Sequence, residues 1–84
     1  MSYYVYMIVS NHMNKNISYV GYTNNLSNRL KAHNSSKGAK FTKGKSWKIV
    51  YFKKYKDKNI AMREEYKLKK NVKLRNKIKI SYNI

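Results

Sequence analysis

The sequence predicts an α+β sandwich: a three-stranded antiparallel sheet flanked by helices, in the order β-β-α-β-α, with room for a third helix at the end. Three observations carry this. Two short runs rich in β-branched and aromatic residues, Tyr3 to Val9 and Ile17 to Tyr22, are joined by a polar, Asn-rich stretch. A third such run, Trp47 to Phe52, alternates with lysines. Two later segments instead space their apolar residues at three and four, the period of a helix.

The elements follow in order. Strands are expected near residues 3–9, 17–22 and 47–53, and helices near 25–35 and 58–71. Ser10 to Asn16 is polar and reads as a hairpin loop, so the first two strands should pair antiparallel. By two-residue alternation Tyr4 and Tyr6 share one strand face, and Tyr3 and Val5 the other. Asn24 or Asn25 is placed to cap the first helix, because a short side-chain oxygen satisfies a free backbone N–H. Leu26, Leu30 and His33 then line one face of it. Asn34 to Ser46 is a long basic loop rich in Ser, Gly and Lys. Asp57 or Asn59 caps the second helix, whose apolar stripe is Ala61, Leu68 and Val72. The tail from Lys73 to Tyr82 is a further helix or an ordered extension, its period blurred by lysines.

Eighty-four residues make a single domain, expected over 1–84, with a thin core. Cysteine is absent, so neither a disulfide nor a cysteine-based zinc site can staple it. No stretch reaches the ~20 apolar residues of a spanning helix. The N-terminus lacks the pattern of a secretory signal, so a soluble, cytoplasmic protein is the expectation. The charge is the loudest feature. Twenty Lys and Arg face three acids, Asp57, Glu64 and Glu65, for a formal +17. Codon bias toward Lys, Asn, Ile and Tyr inflates lysine but does not explain the shortage of acids. Such a balance favours a polyanion, because each lysine near a phosphate releases a condensed counterion.

With three carboxylates the search for chemistry is short. Glu64 and Glu65 are helical neighbours that point about 100° apart, so they do not readily share one ion. A two-metal nuclease centre, which draws on several carboxylates, is thereby disfavoured. One Mg²⁺ held by one carboxylate, waters and a substrate phosphate remains feasible. Relative to Ala61, Glu65 falls about 40° from the apolar stripe and Glu64 about 60° on the other side, which leaves the choice open. The plainer reading makes both glutamates solvated partners of lysines, through Glu65–Lys69 and Glu64–Lys67 spacing. Arg29 and His33, at i and i+4, sit on one helical face. Arg29 suits a phosphate and His33 a proton near neutral pH. An edge arginine and a satisfied histidine would look the same. Tyr6 and Tyr19 are ordinary sheet aromatics unless neighbouring cations lower a phenol's pKa and make it a proton acceptor.

Together these residues resemble the GIY-YIG endonuclease family. Tyr4-Val5-Tyr6 stands where the family has Gly-Ile-Tyr, and Tyr19-Val20-Gly21-Tyr22-Thr23 matches its Tyr-Ile-Gly half. Arg29-x-x-x-His33 is similar to the helix motif, and Ala61 to Lys69 to the segment that carries the glutamate, which selects Glu65 over Glu64. The resemblance spans Tyr3 to about Arg75. It is closest to the small single-domain, YhbQ-like branch, in which a run like Lys37 to Thr42 follows the histidine. What it implies is endonucleolytic hydrolysis of DNA with one Mg²⁺ or Mn²⁺ ion. Tyr6 would be the general base or orient the attacking water. Tyr19 would position water or phosphate, and Arg29 would neutralise charge developing on the phosphate. His33 would hydrogen-bond near Tyr6, Glu65 would hold the metal, and Gly21 would allow close backbone approach. Tyr4 departs from the motif's first glycine. Asn71, Asn76 and Asn83 are all candidates for the family's late structural asparagine. DNA is expected across Tyr6, Tyr19 and Arg29, rimmed by Lys37, Lys40, Lys43 and Lys45. The rival reading is a non-catalytic, basic nucleic-acid-binding module of the same fold. Oligomeric state, DNA preference and DNA versus RNA are not legible.

Overall fold

The structure, a computed structural model, describes residues 2–82. Its elements are strand β1 (Tyr3–His12), strand β2 (Lys15–Thr23), helix α1 (Leu26–Asn34), a 3₁₀ turn (Lys40–Thr42), strand β3 (Lys48–Tyr55), helix α2 (Lys58–Lys70) and helix α3 (Val72–Tyr82). The sheet has the order β2-β1-β3 and is antiparallel throughout. The expected α+β architecture is the observed one, and the tail is the third helix.

β1 is the central strand and is covered on both sides, which is why its run from Val5 to Val9 reads as continuously apolar rather than alternating. On one face Val5, Met7, Val9 and Val20 pack with Ala61 and Leu68 of α2. On the other, Tyr6, Ile8 and Trp47 pack with Leu26 and Leu30 of α1. The result is three layers, and Tyr6 lies under the single helix α1.

Two expectations are corrected. Ser10 to Asn16 is not a loop: the strands continue through it, and only Met13-Asn14 turns, both at positive φ (53° and 63°). That is the primed two-residue hairpin, whose twist matches its strands. Polar residues pair there because a ladder protruding into solvent needs backbone hydrogen bonds and no apolar face. Val72 does not continue the α2 stripe but is 55% exposed. Asn71 ends α2, and its Oδ1 accepts from the Leu74 N–H at 3.0 Å, capping α3 and rotating Val72 outward. Of the other late asparagines, Asn76 is exposed on α3, and Asn83 lies outside the described residues. The helix starts resolve too: Asn25 caps α1 by accepting from the Asn28 N–H at 3.0 Å, and Asp57 caps α2 by accepting from Asn59 at 2.7 Å.

Candidate active site

The antiparallel register puts Tyr6 directly opposite Gly21. A Cβ built on Gly21 would lie 2.6 Å from the Tyr6 hydroxyl oxygen, so the phenol's end occupies the space the glycine leaves. The Tyr6 hydroxyl is 2.7 Å from His33 Nε2, and it accepts a hydrogen bond from Arg29 Nε at 3.3 Å. Both partners come from α1, where i, i+4 spacing stacks them on the face turned to the sheet. Tyr19, on β2 two residues before Gly21, sets its ring edge-on to His33 with centroids 5.2 Å apart.

Tyr6 is 2% exposed and His33 is fully buried. Burial pushes the Tyr6 phenol above its ordinary value, outweighing the hydrogen bond and positive charge of Arg29. The expectation that cations lower this tyrosine's pKa is therefore reversed in the resting protein. Desolvation wins, so the phenol keeps its proton to a higher pH than an exposed tyrosine would. His33 is pushed down to about 4, first by burial and then by the Arg29 charge. It is a neutral imidazole at pH 7.

That shift carries a stability prediction. Between about pH 6.5 and about 4 the unfolded chain binds a proton that the folded His33 refuses. Folding stability is thus full above this window and falls as pH drops through it, by up to about 3 kcal/mol. With three acids in the chain, carboxylates add little competing acid dependence. Urea unfolding at pH 7 and pH 4.5 should show the loss, and a His12→Gln control, which alters only an exposed hairpin residue, should keep it.

The glutamates separate. Glu65 makes an ion pair with Lys69 at 3.2 Å, its side chain 16% exposed, while Glu64 pairs with Lys67 at 3.1 Å and is 30% exposed. The lysine pairing expected from spacing is present at both. The Glu65 carboxylate is the one whose charge acts on the Tyr6 phenol, and Glu64 acts instead on Tyr55. Glu64 also lines a cavity of about 240 Å³ with Val5, Tyr51, Tyr55 and Leu68, on the side of the sheet facing α2. Among the described residues no three His, Asp or Glu side chains gather as a metal cage. A lone, largely withdrawn carboxylate does not suit zinc, but it suits Mg²⁺ or Mn²⁺, which keep most of their waters and bind through one or two carboxylates.

The basic loop folds around the 3₁₀ turn. Lys37, Lys40 and Lys43 are exposed, whereas Lys45 turns back: its Nζ donates to the Phe41 carbonyl at 3.1 Å and sits 5.4 Å from the centre of the Phe41 ring. Phe41 is 52% exposed and stacks on Tyr19 with centroids 6.2 Å apart. Three residues of this loop escaped the sequence reading. Thr42 is fully buried against His33 Nδ1 at 2.8 Å. Gly38 leaves room for the same imidazole, since a Cβ there would collide with His33 Nδ1. Phe41 extends the tyrosine surface. The resemblance singles out the run Lys37 to Thr42, but nothing in its spacing says that it wraps a histidine.

A family model described as the GIY-YIG catalytic domain matches residues 2–79. The UPF0213 protein of Oceanobacillus iheyensis is 50% identical over 52 residues, 61% of this chain and 60% of that protein. A second, from Clostridium perfringens, is 49% identical over 53 residues, covering 62% of this chain and 57% of its own. The match thus spans less than two thirds of the length of these curated relatives. A UPF0213 protein of Staphylococcus haemolyticus matches over more of its length, 40% identical across 80% of this chain and 79% of its own. The solution NMR structure of a UPF0213 protein from Bacillus halodurans superposes with a TM-score of 0.50 at 34% identity, covering 98% of this chain and 85% of that one. With the Tyr6–Gly21 register, the α1 pair and these matches in agreement, the chain belongs to the GIY-YIG family.

Proposed function

We propose that the protein is an endonuclease that hydrolyses DNA phosphodiester bonds with the help of one divalent metal ion. The observation that carries this reading is the Tyr6 hydroxyl held between His33 Nε2 and Arg29 Nε, withdrawn from solvent beside a basic loop. A module that only bound nucleic acid would gain nothing from burying a phenol against a neutral imidazole, since lysines alone supply salt-sensitive affinity.

The chain's own groups suit an attack by water on phosphorus. Arg29 neutralises the charge that grows on the phosphate, and Tyr19 positions the phosphate or the water. Tyr6 takes a proton from the attacking water as its own phenolic proton passes to His33 Nε2. The bond from water oxygen to phosphorus forms while that to the leaving oxygen breaks. Substrate also alters the resting balance. A phosphate against Arg29 offsets one of the two causes that hold His33 near 4, which makes the imidazole a better acceptor once DNA is bound. Glu65 is the residue that would hold Mg²⁺ or Mn²⁺, with Lys69 giving up the carboxylate; the ion supplies charge stabilisation for the leaving oxygen.

The test is a nicking assay on single-stranded, duplex, flapped and branched DNA, with Mg²⁺, with Mn²⁺ and with chelator. Metal-dependent cleavage of at least one form is expected. Its absence on every form would leave the non-catalytic binding module as the better reading. DNA affinity is carried separately, by exposed Lys37, Lys40 and Lys43 with the half-buried Lys45 behind them. Reversing charge with Lys40→Glu and Lys43→Glu should weaken binding to all sequences alike and flatten the salt slope by about one unit per lost phosphate contact. Titrations at several salt concentrations decide it, and an unchanged slope would take this loop out of the interface.

A further inference from the structure

We infer that Thr42 is a positioning residue: it fixes the tautomer and aim of His33, and through it the direction of the hydrogen bond at Tyr6. The inference rests on the reading of Tyr6 as the proton-accepting group, yet its physical content can be measured without DNA or metal.

The assignment follows from counting protons along a chain of contacts. The Thr42 hydroxyl has a single proton, and Oγ1 donates it to the Ala39 carbonyl at 2.8 Å. Toward His33 Nδ1, also at 2.8 Å, the hydroxyl can then only accept, so Nδ1 carries the imidazole proton. In a neutral imidazole the other nitrogen is bare. His33 Nε2 therefore accepts at 2.7 Å, and the Tyr6 hydroxyl is its donor. Arg29 cannot accept, so its Nε–H can only donate to the phenolic oxygen. The result is one directed chain: Arg29 to Tyr6 to His33 to Thr42 to Ala39. It draws the phenolic proton toward His33 and leaves an oxygen lone pair for a proton from outside.

The opposite tautomer would present an N–H from Nε2 to an oxygen that already receives Arg29. The phenolic proton would then have to point elsewhere, including toward the water it is meant to accept from. Thr42 itself is anchored from several directions. Its N–H donates to the Ala39 carbonyl at 3.0 Å, and its carbonyl accepts from the buried Trp47 indole at 2.9 Å. Trp47 is tied to α1 through Asn34, which accepts from the Trp47 N–H at 2.6 Å and donates to its carbonyl at 3.2 Å. The missing Cβ of Gly38 lets the imidazole reach this hydroxyl. The loop thus holds the histidine from the side away from the substrate.

The experiment compares full-length wild type, Thr42→Ser and Thr42→Val. Valine keeps the β-branched shape and removes the hydroxyl; serine keeps the hydroxyl. Imidazole ¹⁵N spectra at pH 7 should show His33 of wild type and Thr42→Ser with the proton on Nδ1 and a bare Nε2. In Thr42→Val the population should shift toward protonated Nε2. Exposed His12 serves as an internal reference. In the nicking assay Thr42→Val should lower the turnover rate on the order of 10²-fold or more, with DNA affinity unchanged and Thr42→Ser restoring most of the rate. A wild type protonated on Nε2, or a Thr42→Val protein that keeps the Nδ1 proton, overturns the inference. Should the valine variant not fold, the wild-type spectrum decides alone. A protein that cuts no DNA yet shows the expected tautomers would remove the nuclease reading and leave the hydrogen-bond assignment standing.

Discussion

Glu65→Gln is expected to lower metal-dependent nicking on the order of 10³-fold while DNA affinity holds, and Glu64→Gln to leave both within a few-fold. The size follows from the several kcal/mol that a divalent ion contributes at a leaving oxygen, at 1.36 kcal/mol per factor of ten. The asymmetry follows from placement. Glu65 is the carboxylate whose charge acts on the Tyr6 phenol, and its side chain is only 16% exposed. Glu64 faces Tyr55 and the cavity under α2, and its exposed partner Lys67 contributes only about 0.3–0.5 kcal/mol as a helical ion pair. Glutamine nearly preserves shape, so a fall in cleavage cannot be traced to lost packing. Removing one negative charge should strengthen DNA affinity slightly, if it moves at all. Paired measurements of affinity and nicking for the wild type and both variants provide the check. Equal losses at the two positions would mean that the ligand has been assigned to the wrong residue or is shared.

The parts of this picture that could be read from residues alone are those governed by local periodicity. Alternation in β1 separates Tyr4 and Tyr6 from Tyr3 and Val5, and the packing keeps Tyr3 and Val5 together on the α2 side and Tyr6 on the α1 side. The i, i+4 spacing of Arg29 and His33 puts both on Tyr6. Helical angles could not separate Glu64 from Glu65, because about 40° and about 60° from a stripe are equivalent when the stripe's own partner surface is unknown. A stripe read from hydropathy runs one turn too far, through Val72, since an asparagine cap inside a lysine-rich run leaves no hydropathy signal. The hairpin reads shorter than it is for a related reason: Ser10 to Asn16 has no apolar face to reveal pairing that rests on backbone hydrogen bonds. Thr42 and Gly38 were invisible as site residues because their partner His33 is reached only after the chain doubles back through the basic loop. The sign of the Tyr6 shift was also beyond reach. It depends on how completely a phenol is buried, and composition counts cations without measuring desolvation.

Gly21→Ala should lower nicking about 10²-fold and cost about 1–3 kcal/mol of stability, and comparison with Gly44→Ala shows why. The two glycines are needed for different reasons. Gly44 adopts φ +77° with open space around it, so an added methyl there meets backbone strain alone and should cost about 1 kcal/mol of stability without touching the site. Gly21 shows no such strained backbone, but its Cβ would sit 2.6 Å from the Tyr6 hydroxyl oxygen and 2.8 Å from the adjoining ring carbon, closer than such atoms tolerate. Something must move. β2 is an edge strand, but its pairing to β1 is unbroken from Thr23 to Lys15, so the phenol gives way by several tenths of an ångström or more. That displacement lengthens the contacts to His33 and Arg29, and a misplacement of about 1 Å at a reacting group costs about 10²-fold. Circular dichroism melting with parallel nicking and binding assays separates the cases. Gly21→Ala should melt lower, bind DNA and cut poorly, whereas Gly44→Ala should melt lower and cut normally. A Gly21→Ala protein that cuts at the wild-type rate would show that the Tyr6 hydroxyl need not be held over this glycine, and the role given to Tyr6 as proton acceptor would have to be withdrawn.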